Sequence, residues 1–225
     1  MYKKRQNEHR TIYLKNVHEP NDVMIKSAKY NKKLGAASHI VTVKKWKSAR
    51  MHTLTLEERK SCTPNCAVYD VCFGNNMPFA HRFDHTHPDF YSKLEKSIEN
   101  VAGNGKPIVI RTHVLGDFFD TKYVDFWQLI LDQYPNINLF GYTHHPHDDN
   151  GIGTAIAKLN ALFPERFAVR HSGDMNTGFR TRVINDGDPV LPGEVVCPEQ
   201  TKKTASCTTC GICWSSPKPV VFIEH

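Results

Sequence analysis

KPIVIRTHVLGDF, residues 106–118, decides the fold. Ile108 to Ile110 are apolar without alternation, as in a strand covered on both faces. The run ends into Gly116-Asp117, a small and an ionisable residue. Before it, PDFYSKLEKSIENVA (88–102) sets Phe90, Leu94, Ile98 and Val101 on one helical face, with Pro88 at the first turn and Gly103 at the end. After it, Tyr123, Phe126, Trp127, Ile130 and Leu131 form the apolar stripe of a helix over 121–133. NINLFGYTHH (136–145), GTAIAKLNALF (153–163) and RFAVRHSGD (166–174) continue as strand, helix, strand.

Working outward, TIYL (around 12–14) and HIVTVKKW (39–46) read as strands, with a helix-prone polar segment near 20–33 between them. MHTLTL (51–56) alternates polar and apolar residues and leads into a cysteine-bearing loop. Beyond residue 174 the pattern is irregular until KPVVFIEH at the end. This order predicts an α/β fold: a partial (β/α) barrel of parallel strands with at most six β/α units, plus a Cys-rich C-terminal loop region. The expected organisation is a basic segment over 1–50 packed on a main domain over 51–225 that ends in a metal-binding loop (197–214), one structural domain overall. GNGKP (103–107) lacks the second half of a phosphate loop and reads as a turn.

A hydrophobic content of 40% in 225 residues supports a buried core and excludes a disordered chain. No run of eighteen apolar residues is present, and MYKKRQNEHR is followed by no apolar stretch, so neither a membrane span nor a secretory signal is expected. The expected location is the cytoplasm. Residues 1–60 hold fifteen Lys and Arg against five Asp and Glu, whereas the rest of the chain is net acidic. That asymmetry fits a nucleic-acid or nucleotide partner, or a solvated face bearing Lys44, Lys45 and Lys47.

The seven cysteines fall into two groups. An odd number without an export signal argues against a disulfide framework and for metal chemistry. CPEQTKKTASCTTCGIC spaces Cys197, Cys207, Cys210 and Cys213 as C-x9-C-x2-C-x2-C, enough thiolates for a tetrahedral zinc or a four-iron cluster, with a run like that of bacterial ferredoxins. SCTPNCAVYDVCF supplies only Cys62, Cys66 and Cys72, which leaves a coordination position open unless His81, His85 or His87 closes it. Four strand ends carry polar residues on one side: the three-cysteine loop, Gly116-Asp117, Thr143-His144-His145, and His171-Ser172-Gly173-Asp174. Parallel sheets gather their chemistry there. THHPHDD (143–149) also places His144, His145, His147 and Asp148 close, although neighbouring histidines in an extended chain point opposite ways. Asp117 reads equally as an acid or as a cap for the 119–133 helix.

A three-cysteine loop after an early strand, with Gly-Asp after the next, resembles the radical S-adenosylmethionine superfamily. SCTPNCAVYDVCF, RTHVLGDF, LFGYTHH and CPEQTKKTASCTTCGICW together resemble the phage gene product 88 family over roughly residues 50–225. The superfamily resemblance implies a [4Fe–4S] cluster on Cys62, Cys66 and Cys72, whose open iron binds S-adenosylmethionine for one-electron cleavage to a 5′-deoxyadenosyl radical. It places Gly116 and Asp117 at the cofactor's amino group, and Thr143, Arg170 and Ser172 at its carboxylate and ribose. Asp117, His113 and Asp174 would orient cofactor or substrate, with Asp117 and His113 as the catalytic candidates. Cys197, Cys207, Cys210 and Cys213 would hold a second cluster, or zinc. A phage-encoded chain would act in the host cytoplasm. The chain departs from the superfamily's usual C-x3-C-x2-C: its spacing is C-x3-C-x5-C, with Val71 before Cys72 and a single glycine in Leu115-Gly116-Asp117.

Overall fold

Burial on both faces of Ile108–Arg111 organises the molecule: Ile108 and Ile110 point to one apolar cluster, Val109 to another. The computed structural model describes residues 9–35, 40, 46–64, 66, 68–70 and 72–224. Its strands are β1 (Val17–His18), β2 (Lys26–Ser27), β3 (Arg50–Thr53), β4 (Arg82–Phe83), β5 (Ile108–Arg111), β6 (Ile137–Thr143), β7 (Phe167–Ser172), β8 (Arg180–Ile184), β9 (Val195–Val196) and β10 (Val220–Ile223). The helices are α1 (Phe90–Ala102), α2 (Thr121–Gln133), α3 (Ile152–Leu162), α4 (Cys207–Cys210) and α5 (Ile212–Ser215).

One eight-stranded sheet runs β2-β3-β5-β6-β7-β8-β10-β9, and β1 pairs with β4 separately. Every pairing in the large sheet is parallel except β2 with β3. Strands β3, β5, β6 and β7 are neighbours in sequence order, and α1, α2 and α3 make the crossovers between them. Only residues 173–179 separate β7 from β8, which suffices because β8 pairs with just the last two residues of β7, His171 and Ser172. The fold is therefore mixed α/β with a mostly parallel sheet.

Alternation along the strands assigns the two faces. Ile108, Ile110, Ile137, Leu139, Phe167 and Val169 meet the apolar stripes of α1 to α3, where Phe90, Leu94, Tyr123 and Trp127 are fully buried. Each such side chain contributes about 1.5–3 kcal/mol by leaving water. Met51, Val109, Phe140 and Ala168 face the other way, against Leu34, Ile40, Trp46 and Trp214. Among the described residues no crossover helix covers that face. The basic segment and the cysteine helix α5 do.

Several expectations change at the N-terminus. The stretch around 12–14 is not a strand: Leu14–Asn16 form a short 3-10 helix before β1. The 20–33 segment contains β2 and the 3-10 turn Ala28–Tyr30 instead of an α-helix. The strand expected over 39–46 falls, apart from Ile40 and Trp46, outside the described residues, as do Lys44 and Lys45. Asp117 does not cap α2; Asp120 does, accepting from Lys122 N at 2.9 Å. Beyond residue 174 the chain is less irregular than expected, because β8 adds a strand. Among the described residues no helix is long and apolar enough to cross a membrane.

Candidate metal centre

The loop after β3 is bolted down by buried charge. Arg82, fully buried, gives Nε and Nη2 to Glu58 at 2.6 and 3.1 Å and spends further donors on the carbonyls of Gly74, Met77 and Ala80. Thr11 donates to the same carboxylate at 2.6 Å, and Arg10 pairs with Glu57. A one-turn contact, Cys62 N to Arg59 O at 3.3 Å, then starts the thiol-bearing stretch. Cys66 and Cys72 follow, and their carbonyls accept from Tyr69 N and Asn75 N.

The three thiols share one electrostatic neighbourhood, and Asp117 acts on Cys62 and Cys66. Burial raises the pKa of Cys62, and Asp117, Cys72 and Cys66 add to the rise. Burial likewise pushes Cys66 up to about 11, with Cys72 and Asp117 acting in the same direction. All seven cysteines are free thiols. Gly116 (φ +92°) brings the end of β5 onto this loop: a Cβ there would lie 2.5 Å from Ser61 Oγ and 2.8 Å from Leu56 Cβ. Ser61 Oγ accepts from Asp117 N at 3.4 Å.

Asp117 joins that strand end to the next. Its Oδ1 accepts from Phe118 N at 2.7 Å and its Oδ2 from His144 N at 2.9 Å. His145 Nε2 donates to Phe118 O at 2.9 Å, and His171 Nδ1 donates to His145 O at 2.9 Å. Asp174 Oδ2 accepts from both His147 N (2.8 Å) and His147 Nδ1 (2.7 Å), and that hydrogen bond raises the His147 pKa. The ends of β3, β5, β6 and β7 thus meet along one rim, as expected. Within it His147, Asp148 and Asp174 bring ligand atoms within 4.8 Å of one another, so the THHPHDD loop meets a carboxylate from the next strand end rather than gathering its own histidines.

Other candidates have partners of their own. His113 is a core residue: its Nε2 is 3.0 Å from Tyr123 OH, its ring meets Phe118 edge-on, and burial holds its pKa down at about 3. Arg170 is fully buried and donates to the carbonyls of Ile212, Cys213, Ser216 and Lys218. It holds the C-terminal helices through four of its five N–H donors. Thr143 accepts from His145 N, and Ser172 pairs with Thr181. His81 stacks on His18, the His85 ring packs tilted against Phe119, and His87 accepts from Asp89 N.

The second thiol group lies on the face without crossover helices. Ser206 and Thr209 form a reciprocal cap on α4, and Gly211 in the left-handed region turns the chain into α5. Cys207 N and Thr208 N donate to Lys33 O and Leu34 O, so the N-terminal segment closes over this group. Tyr142 OH donates to Cys213 Sγ at 3.1 Å. Cys207 is pushed up to about 12 by burial and by the nearby Cys213 and Cys197, against Arg111 and Lys33.

Among the described residues, no three cysteine sulfurs lie within 4.8 Å of one another. A tetrahedral zinc with Zn–S of about 2.3 Å needs sulfurs about 3.8 Å apart. A four-iron cube binds each cysteine through a different iron and holds the sulfurs wider.

The description Gene product 88 belongs to the family model that matches residues 25–216, a span that includes all seven cysteines, the rim and α5. The chain belongs to the gene product 88 family. It is 26% identical over 137 residues to the gene 88 protein of Mycobacterium phage L5, covering 52% of this chain and 54% of that protein. To the gene 88 protein of Mycobacterium phage D29 it is 24% identical over 138 residues, covering 52% and 55%. This family member spans about half the length of the curated relatives it matches. No solved structure matches it. The family span begins at residue 25, earlier than the resemblance near 50, and so takes in Lys33 and Leu34 over the distal cysteines.

Sequence reading passed over Arg59, Ser61, Glu58, Arg82, Arg111 and Tyr142. Glu57-Glu58-Arg59-Lys60 looks like a solvated charge run, yet its first three residues are at most 3% exposed. The available signal was that run's position, directly before the first cysteine.

Proposed function

We propose that this gene product 88 family member is an iron–sulfur protein whose Cys62, Cys66 and Cys72 hold a [4Fe–4S] cluster with one open iron. Cys197, Cys207, Cys210 and Cys213 hold a second centre in this reading. The observation that carries it is three free, mutually interacting thiols in the loop that follows a parallel strand, beside the Gly116 turn. S-adenosylmethionine is the small molecule read for the open position, and bound there it would supply one-electron cleavage chemistry.

The sequential order of β3, β5, β6 and β7 supports reading the sheet as a partial (β/α) barrel. The chain's own part is mainly positioning. Gly116 lets the β5 end approach the thiol loop, and Asp117 ties that end to β6 through backbone amides. Ser172 and Asp174 remain at the rim for a ligand. The basic N-terminal quarter favours a nucleotide or nucleic acid as substrate. The test is anaerobic reconstitution followed by reduction and electron paramagnetic resonance. Added S-adenosylmethionine should change the proximal signal and release 5′-deoxyadenosine above a Cys62→Ala control. An unchanged signal and no release would reject the S-adenosylmethionine site.

A further inference from the structure

Arg59 stands immediately before the thiol loop and is only 3% exposed. One nitrogen, Nη2, donates to Asn75 Oδ1 at 2.6 Å. Its Nε and Nη1 are buried with no hydrogen-bond partner. Its backbone sits at φ +69°, a conformation unfavourable for a side chain of this size. A buried guanidinium that keeps donors unpaired is among the costliest arrangements in a protein interior.

Glu57, Glu58 and Asp117 are occupied by other donors. Glu58 is taken by Arg82 and Thr11, and Glu57 by Arg10 and Thr11 N. Asp117 accepts from the amides of Phe118 and His144. The guanidinium carbon lies 5.9 Å from the centre of the Tyr69 ring, Cys72 feels the charges of Glu58, Arg59 and Arg82, and Cys62 N bonds Arg59 O. Three neutral thiols give Arg59 nothing to oppose. Three thiolates on an iron–sulfur cluster carry net negative charge and accept N–H donors on sulfur.

We propose that Arg59 is a positioning residue for that centre, aiming its free Nε–H and Nη1–H at the anionic sulfurs and thereby raising the reduction potential of the proximal cluster. This rests on the function proposed above. The same pattern recurs at the distal group, where Arg111 keeps a buried, unpartnered Nε and acts on Cys207.

The test uses the full chain, loaded anaerobically and labelled with ¹⁵N-arginine. Pulsed paramagnetic resonance of the reduced protein should detect weak ¹⁵N coupling to the proximal cluster, lost in Arg59→Lys. In redox titration Arg59→Gln should shift the proximal potential downward, Arg59→Lys should stay nearer the parent, and the distal centre should not move. A loaded parent protein with no arginine coupling, coupling that persists in Arg59→Lys, or an unmoved potential in Arg59→Gln overturns this proposal alone. A parent protein with no iron at Cys62, Cys66 and Cys72 overturns the functional reading with it. If neither variant folds, the coupling in the labelled parent decides.

Discussion

At Gly116 a single missing methyl sets how closely two strand ends approach. The φ of +92° and the 2.5 Å and 2.8 Å approaches to Ser61 and Leu56 make Gly116→Ala pay twice, in backbone strain and in overpacking, for about 2–4 kcal/mol together. Gly105, also at positive φ but with nothing within 4 Å, isolates the strain, and Gly105→Ala should cost about 1 kcal/mol. Denaturant unfolding of both variants measures the difference; equal losses would mean that the β5 end does not press on the thiol loop. The Gly-Asp pair was legible because a small residue followed by an acid after an apolar run is a strand-end pattern. The role of Asp117 was not legible, since accepting from His144 N depends on a neighbour 27 residues away. The burial of His113 between Phe118 and Tyr123 was not legible either, because histidine is polar in sequence.

Among the elements, α2 was read to its boundaries and β5, β6 and β7 nearly so, because long apolar runs and helical stripes survive whatever packs on them. Strand β8 escaped notice because RTRVI carries two arginines, whose charge is met by Glu194 just before β9. Helices α4 and α5 have four residues each and arise from Ser206 and Gly211, so no periodicity announces them. Their attachment depends on Arg170. Arg170→Met keeps much of the volume but strips four carbonyls of their donor, at an expected cost of about 3 kcal/mol. Hydrogen exchange should then quicken across 207–216, leaving α1 to α3 protected. Uniform loss of protection would instead make Arg170 part of the general core.

For the whole molecule, acid sensitivity follows from what burial does to histidine. His113 and His85 are held down at about 3 and about 4 by burial, against 6.5 in the unfolded chain. The unfolded state therefore binds protons first, so stability is full above about pH 6.5 and falls with pH toward those values, by up to about 1.4 kcal/mol per pH unit for each group. Glu194, kept near 2 chiefly by its hydrogen bond from Arg182, extends the loss below pH 4.5. Melting temperature should be flat between about pH 7 and 8 and decline below that window, with a shallower decline between pH 6.5 and 4 in His113→Asn, a residue that tolerates the φ of +54°. A curve that is the same in parent and variant would place the acid sensitivity elsewhere. All of this surrounds two groups of thiols, and what they hold is the account's central claim. The most direct measurement counts iron, acid-labile sulfide and zinc in anaerobically isolated protein, beside a variant with Cys62, Cys66 and Cys72 changed to alanine. The account predicts about eight irons and eight sulfides per chain when both groups hold cubes, falling by about half in the variant; zinc without sulfide, or iron indifferent to the loss of those three cysteines, contradicts it.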